Sequence, residues 1–145
     1  MVTQSPSEEA NDELVVPVRA EADLNHVRMV ARETCSLVGV RGYNGQKVVT
    51  AVSELARNVA RYAGGGEVRF RIDTGRGRIV IVAEDKGPGI PNLDEIMAGQ
   101  YRSRTGLGRG ILGAKALADH FDINTGSSGT KVVLEFKFSE DRTRR

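Results

Sequence analysis

The segment over residues 44–66 constrains the fold of this chain more than any other. Val48, Val52, Leu55, Val59 and Tyr62 recur every three or four residues, a repeat that lines them up along one stripe of an α-helix. Gly64, Gly65 and Gly66 follow at once and stop that helix sharply. A long helix with one apolar stripe has to bury it against a second layer, and the downstream sequence supplies strands. Residues 68–73 and 79–83 are alternating or apolar runs divided by Thr74, Gly75, Arg76 and Gly77, the pattern of a β-hairpin. A second hairpin is expected from 121–124 and 130–138, around Gly126-Ser127-Ser128-Gly129. Upstream, the β-branched run 14–19 contains Pro17, which removes a ladder donor and suits an edge strand.

Two more helices complete the pattern. Asp23 is placed to cap a helix over 24–37, with Leu24, Val27, Val30, Ala31 and Thr34 at helical spacing, ended by Gly39 and Gly42. Asn44 starts the long helix, which runs to about Ala63, and 110–119 reads as a third, with Ile111, Leu112, Lys115 and Leu117 on its faces. Strands joined by hairpins, beside about three helices that share one face, predict an α/β (α+β) two-layer sandwich with a mixed, mostly antiparallel sheet.

A length of 145 residues suits one domain and is too short for two independent cores. The ordered part is expected over 13–138. Residues 1–12, polar and acidic, are expected to form a flexible tail, and the basic segment 139–145 a solvated one. The formal charge is only +2, and apart from Arg142, Arg144 and Arg145 the basic residues are scattered. That disfavours nucleic acid as a partner, which calls for a concentrated basic face. Cys35 is the single cysteine and is expected to pack as a small apolar residue. With no apolar run long enough to span a bilayer and no leader over 1–20, no membrane association and a cytoplasmic location are expected.

Three polar constellations carry chemistry. Glu54 and Asn58 are four apart, so on a helix they project from one face, away from Val52, Leu55 and Val59, and Arg61 continues that face. A carboxamide oxygen is a hard ligand for magnesium, and a carboxylate can take a proton from a hydroxyl. Taken alone, the same spacing also describes a solvated helix face. In the second, Asp85-Lys86-Gly87-Pro88-Gly89-Ile90 follows directly on a strand. An Asp there can accept from an exocyclic amine, and glycines let backbone approach a flat ring, although Gly-Pro-Gly is also an ordinary turn. In the third, Thr105-Gly106-Leu107-Gly108-Arg109-Gly110 precedes a helix, where open backbone amides and the helix dipole can cradle phosphate. It matches neither the P-loop nor the dinucleotide fingerprint.

Taken together and in this order, with Gly129-Thr130 on a last strand, these segments resemble the ATPase fold shared by gyrase, the Hsp90 chaperone, histidine kinases and MutL, over roughly 14–138. Within that superfamily the wording of 53–64, 83–91 and 106–115 is closest to the RsbT-like serine-protein kinases that regulate bacterial stress and sporulation sigma factors. The resemblance implies Glu54 as catalytic base, Asn58 as magnesium ligand and Asp85 as partner of the adenine of ATP. It implies Gly87, Gly89 and Ile90 around the ring, Thr105, Gly106, Leu107, Gly108, Arg109 and Gly110 on the phosphates, and Thr130 near the adenine through its hydroxyl. Arg61 falls where histidine kinases carry a phosphate-contacting lysine.

Two functions follow from the resemblance. The first is an ATP- and Mg2+-dependent serine/threonine-protein kinase that phosphorylates a STAS-domain antagonist and, once released, activates a PP2C-type phosphatase. The second is an RsbW-like anti-sigma factor kinase whose main action is to sequester a sigma factor. A histidine kinase is disfavoured, because His26 and His120 sit in the first helix and at the end of the third and are expected at the surface or its boundary.

Overall fold

The computed structural model describes residues 13–99 and 107–138, Leu107 by its backbone alone. The expected tails over 1–12 and 139–145, and Thr105 and Gly106 of the glycine-rich run, lie outside the described residues. Five strands form one sheet: β1 (Glu13–Val18), β2 (Gly66–Asp73), β3 (Arg78–Asp85), β4 (His120–Gly126) and β5 (Gly129–Lys137), in the order β1-β2-β3-β5-β4. All four pairings are antiparallel, so among the described residues the sheet expected to be mostly antiparallel is wholly so. β1 lies at an edge, where Pro17 leaves no ladder bond unmade in the interior. The helices are α1 (Leu24–Leu37), α2 (Gly42–Tyr62), α3 (Leu93–Met97) and α4 (Leu107–Leu117), with a 3-10 turn at Glu21–Asp23 before α1.

Strand alternation turns Val68 and Phe70, Ile79, Ile81 and Ala83, and Val132, Leu134 and Phe136 to one face, where all are buried. Phe70, Ile81 and Leu134 stand in register across three strands and mark the middle of the core. The α1 stripe Leu24, Val27, Val30, Ala31 and Thr34 and the α2 stripe Val48, Val52, Leu55 and Val59 are buried in full, and α2 packs on α1, α4, β2 and β3. Each large apolar side chain so enclosed contributes about 1.5–3 kcal/mol. Cys35 is part of this core, and burial pushes its thiol above the ordinary value. His26 and His120 are exposed, and no helix among the described residues is long and apolar enough to cross a membrane.

On the opposite face Val80 and Val82 are still only 4% and 8% exposed. Arg71 and Arg69 stand directly across from them on β2, and Arg69 is held by Glu67 and Glu84 at 2.6 and 2.9 Å. The arginine stems roof the valines while the charged ends pair at the surface.

Four local features differ from the sequence pattern, each for a physical reason. Asp23 makes no bond to the helix it precedes; its carboxylate turns back to accept from the Arg19 and Ala20 amides at 2.8 and 3.1 Å, which ties the end of β1 to the 3-10 turn. α2 begins at Gly42 rather than Asn44, with Gly42 itself at φ +59 and so in a conformation open to glycine. α4 begins at Leu107 rather than Gly110, because packing on α2 overrides the weak helix propensity of glycine. α3 has five residues, too few to register as a periodic pattern.

Candidate functional site

A cleft of about 460 Å3, counted out to its mouth, lies between α2, the loop after β3 and the first turns of α4. Leu55 and Val59 from α2, Ala83 and Val132 from the sheet and Ile111 from α4 make apolar walls, and Pro88, Gly89 and Ile90 close one side. Such walls suit a flat, poorly hydrated ring.

Asp85 and Thr130 supply polarity in the sheet wall. They are cross-strand partners in the β3–β5 ladder, continuing the core-facing rows that end in Ala83 and Val132. One Asp85 carboxylate oxygen accepts the Gly87 amide at 2.9 Å, which orients the group. Gly89 has φ +89, and a Cβ there would stand 2.3 Å from the Gly126 carbonyl oxygen; only glycine lets the loop lie this close to the β4–β5 turn. Gly87 is not among the lining residues; a side chain on it would meet the Cα and Cβ of Ala63, which is, at 2.9 Å.

The cleft opens onto a polar mouth lined by Glu54, Arg57, Asn58, Arg61, Tyr62, Arg109 and Gly110, and Asn58 and Tyr62 border both regions. Glu54 and Asn58 meet at Gly110. A Cβ on that glycine would lie 3.0 Å from Glu54 Oε1 and 3.3 Å from Asn58 Oδ1. Arg57 Nη1 is 3.2 Å from Glu54 Oε1. Among the described residues Asn58 Nδ2 is buried with no hydrogen-bond partner, an arrangement that is costly unless a ligand completes it. The amides at the start of α4 have no intrahelical acceptors and lie at the positive end of the helix dipole, and Gly108 and Gly110 are buried in this turn while Arg109 is exposed.

Arg61 borders the mouth but its guanidinium is engaged by Glu21 of the 3-10 turn. Hydrogen bonding and charge from Arg61 hold the Glu21 carboxyl below its ordinary value. Among the described residues no group of three His, Cys, Asp or Glu side chains could hold a metal alone. A divalent cation here would be held between the Asn58 amide and the oxygens of a bound ligand, as magnesium usually is in phosphate sites.

The structure thus brings together Glu54, Asn58, Asp85, Gly89, Ile90, Gly110 and Thr130, with Arg61 and Arg109 at the mouth. Tyr62, Ala63 and the apolar walls belong to the site without any signal beyond ordinary helix and strand periodicity. Thr125 was within reach of the sequence: the turn around Gly126 to Gly129 pairs it with Thr130.

Comparison with known proteins agrees with this geometry. Residues 16–136 match the family model described as histidine kinase-like ATPase domain. The chain is 35% identical over 125 residues to the serine/threonine-protein kinase RsbT of Bacillus subtilis, covering 84% of this chain and 94% of that protein. It is 33% identical over 100 residues to the anti-sigma F factor of Clostridium beijerinckii, covering 63% and 70%. A crystal structure of the RsbU and RsbW domains of a Mycobacterium tuberculosis protein superposes with a TM-score of 0.64 at 20% identity, over 87% of this chain and 32% of that one, a likeness of fold.

Proposed function

The chain belongs to the histidine kinase-like ATPase domain family, among its RsbT-like serine/threonine-protein kinases, and from that premise we propose that it phosphorylates a serine or threonine of a STAS-domain antagonist in a bacterial partner-switching pathway. Released from that substrate, it activates a PP2C-type phosphatase. Its place of action is the cytoplasm. The observation that carries the reading is the meeting of Glu54 and Asn58 at Gly110, at the polar end of a cleft whose apolar end holds Asp85 and Thr130.

Bound ATP supplies the transferable phosphoryl group, with magnesium to offset its charge. Asp85 accepts the amine of the base and Thr130 faces it with a hydroxyl. Asn58 would hold the metal through its amide oxygen, and its Nδ2, without a partner among the described residues, would donate to phosphate oxygen. The α4 amides at Gly108, Arg109 and Gly110 stabilise negative charge on the phosphates. Glu54, its carboxylate directed by Arg57, takes the proton of the incoming hydroxyl. Positioning and electrostatics do nearly all of the work in such a transfer.

The test is Glu54→Gln, with labelled ATP, magnesium and the STAS-domain proteins of the host. Phosphotransfer falls at least roughly a hundredfold while ATP affinity stays within about threefold of the wild type. A variant that no longer binds ATP would show that Glu54 has another role.

The likeness to an anti-sigma F factor favours a second reading, in which the chain sequesters a sigma factor and phosphorylation only releases it. Capture from host lysate with and without ATP separates the two. Recovery of a sigma subunit in place of a STAS protein or phosphatase selects the second.

A further inference from the structure

Thr125, which none of the roles above uses, stands on β4 directly opposite Thr130, and Thr130 stands opposite Asp85 on β3. Partners in an antiparallel ladder share a face, so Asp85, Thr130 and Thr125 form a polar row across three strands at the end of the apolar core. The Thr125 hydroxyl oxygen accepts the Ile90 amide at 2.9 Å and lies 2.7 Å from the Thr130 hydroxyl. It therefore ties the loop that walls the cleft to the strand that carries Thr130. A Cβ on Gly89 would come within 3.3 Å of Thr125 Oγ1, so the loop rests directly against this side chain.

We infer that Thr125 is a positioning residue for base recognition, acting through Thr130: it donates to the Thr130 oxygen and thereby turns the Thr130 proton into the cleft. The inference rests on the reading of the cleft as an ATP site. A hydroxyl has one proton and two acceptor positions, and Thr125 uses one acceptor position on the Ile90 amide. If Thr130 donated to Thr125, both acceptor positions of Thr125 would be filled and its own proton would need a further acceptor. If Thr125 donates, its bonds to the Ile90 amide and the Thr130 oxygen are both made and the Thr130 proton is free. Thr130 is 8% exposed and lines the cleft, so that proton meets the ligand rather than bulk water.

The row then presents an acceptor, Asp85, beside a donor, Thr130. An adenine edge offers the complement, an amine beside a ring nitrogen with a lone pair. Guanine offers a carbonyl and an N–H at the same two places, so the order imposed by Thr125 also discriminates between the purines.

The test is calorimetric titration of wild type, Thr125→Val and Thr125→Ser with magnesium and either ATP or 1-deazaadenosine triphosphate, in which C–H replaces the ring nitrogen next to the amino-bearing carbon. The wild type and Thr125→Ser prefer ATP about tenfold, which corresponds to about 1.4 kcal/mol. Thr125→Val loses that preference and binds both nucleotides alike, and Thr125→Ala serves in its place if the valine variant does not fold. A merely structural role for Thr125 would weaken both nucleotides and leave their ratio at tenfold, which overturns the inference. So does a wild type that binds ATP but does not distinguish the two. A wild type that binds neither overturns the ATP reading and this inference with it.

Discussion

Gly110 and Glu54 are in near contact across the α2–α4 interface: a methyl group on the glycine would stand 3.0 Å from Glu54 Oε1, with Asn58 Oδ1 at 3.3 Å beside it. Gly110→Ala therefore displaces the carboxylate and the amide by tenths of an ångström while adding a better helix former to α4. Phosphotransfer falls by about 10- to 100-fold, as small misplacements of reacting groups do, while the melting temperature changes little, since about 0.5–1 kcal/mol of helix propensity offsets the crowding. Phosphotransfer assays and thermal unfolding on the same preparations check this, and an alanine variant with full activity would remove Gly110 from the site.

Asn58→Ala deletes the buried amide whose Nδ2 has no partner among the described residues. Magnesium tightens ATP binding by the wild type, and in the variant that tightening disappears. Titrations with magnesium and with EDTA measure it directly. If the variant keeps the full magnesium effect, the metal is held by other groups.

Asp85→Asn keeps an oxygen for the Gly87 amide, which Asp85 bonds at 2.9 Å, so the loop should hold its shape. The variant exchanges an acceptor for a donor toward the amine of the base. ATP affinity drops about tenfold or more, in line with the loss of a hydrogen bond to a charged group, with an unaltered circular dichroism spectrum. Unchanged affinity would count against the base pocket.

Asp23 gives a pH dependence. Amide hydrogen bonds from Arg19 and Ala20 lower its carboxyl below the ordinary 3.8. A depressed acid stabilises the fold fully above its unfolded value and ceases to do so as pH falls through the folded one. Asp23→Ala therefore melts below the wild type at neutral pH, and the gap narrows as pH drops below 3.8. A gap that persists unchanged in acid would mean that the carboxylate charge contributes nothing.

Much of the architecture was legible in residue order. The stripe of α2 showed most of its buried face, since Val48, Val52, Leu55 and Val59 lie in the core while Tyr62 is left half-buried beside the cleft, and both hairpins appear with their turns where glycine predicts them. The start of α4 was not legible, because Gly108 and Gly110 resemble a loop by local propensity and become helical through packing on α2. Glycine in a sequence shows only that backbone must come close to something; at Gly87 that something is Ala63, at the edge of the cleft.

What the sequence by itself determined is the set of local geometries. A 3.6-residue period set Glu54 and Asn58 on the polar face of a helix, strand alternation aimed Asp85 and Thr130 at the helix layer, and glycines marked the points of close approach. Tertiary structure alone decided what those points approach: Gly110 the Glu54–Asn58 pair, Gly89 the β4–β5 turn, and Thr125 the loop at Ile90. The reason is range. Periodicity and propensity act over a few neighbouring residues, whereas the site is closed by contacts between segments far apart in the chain, whose spacing is set by how side chains fill the core between them.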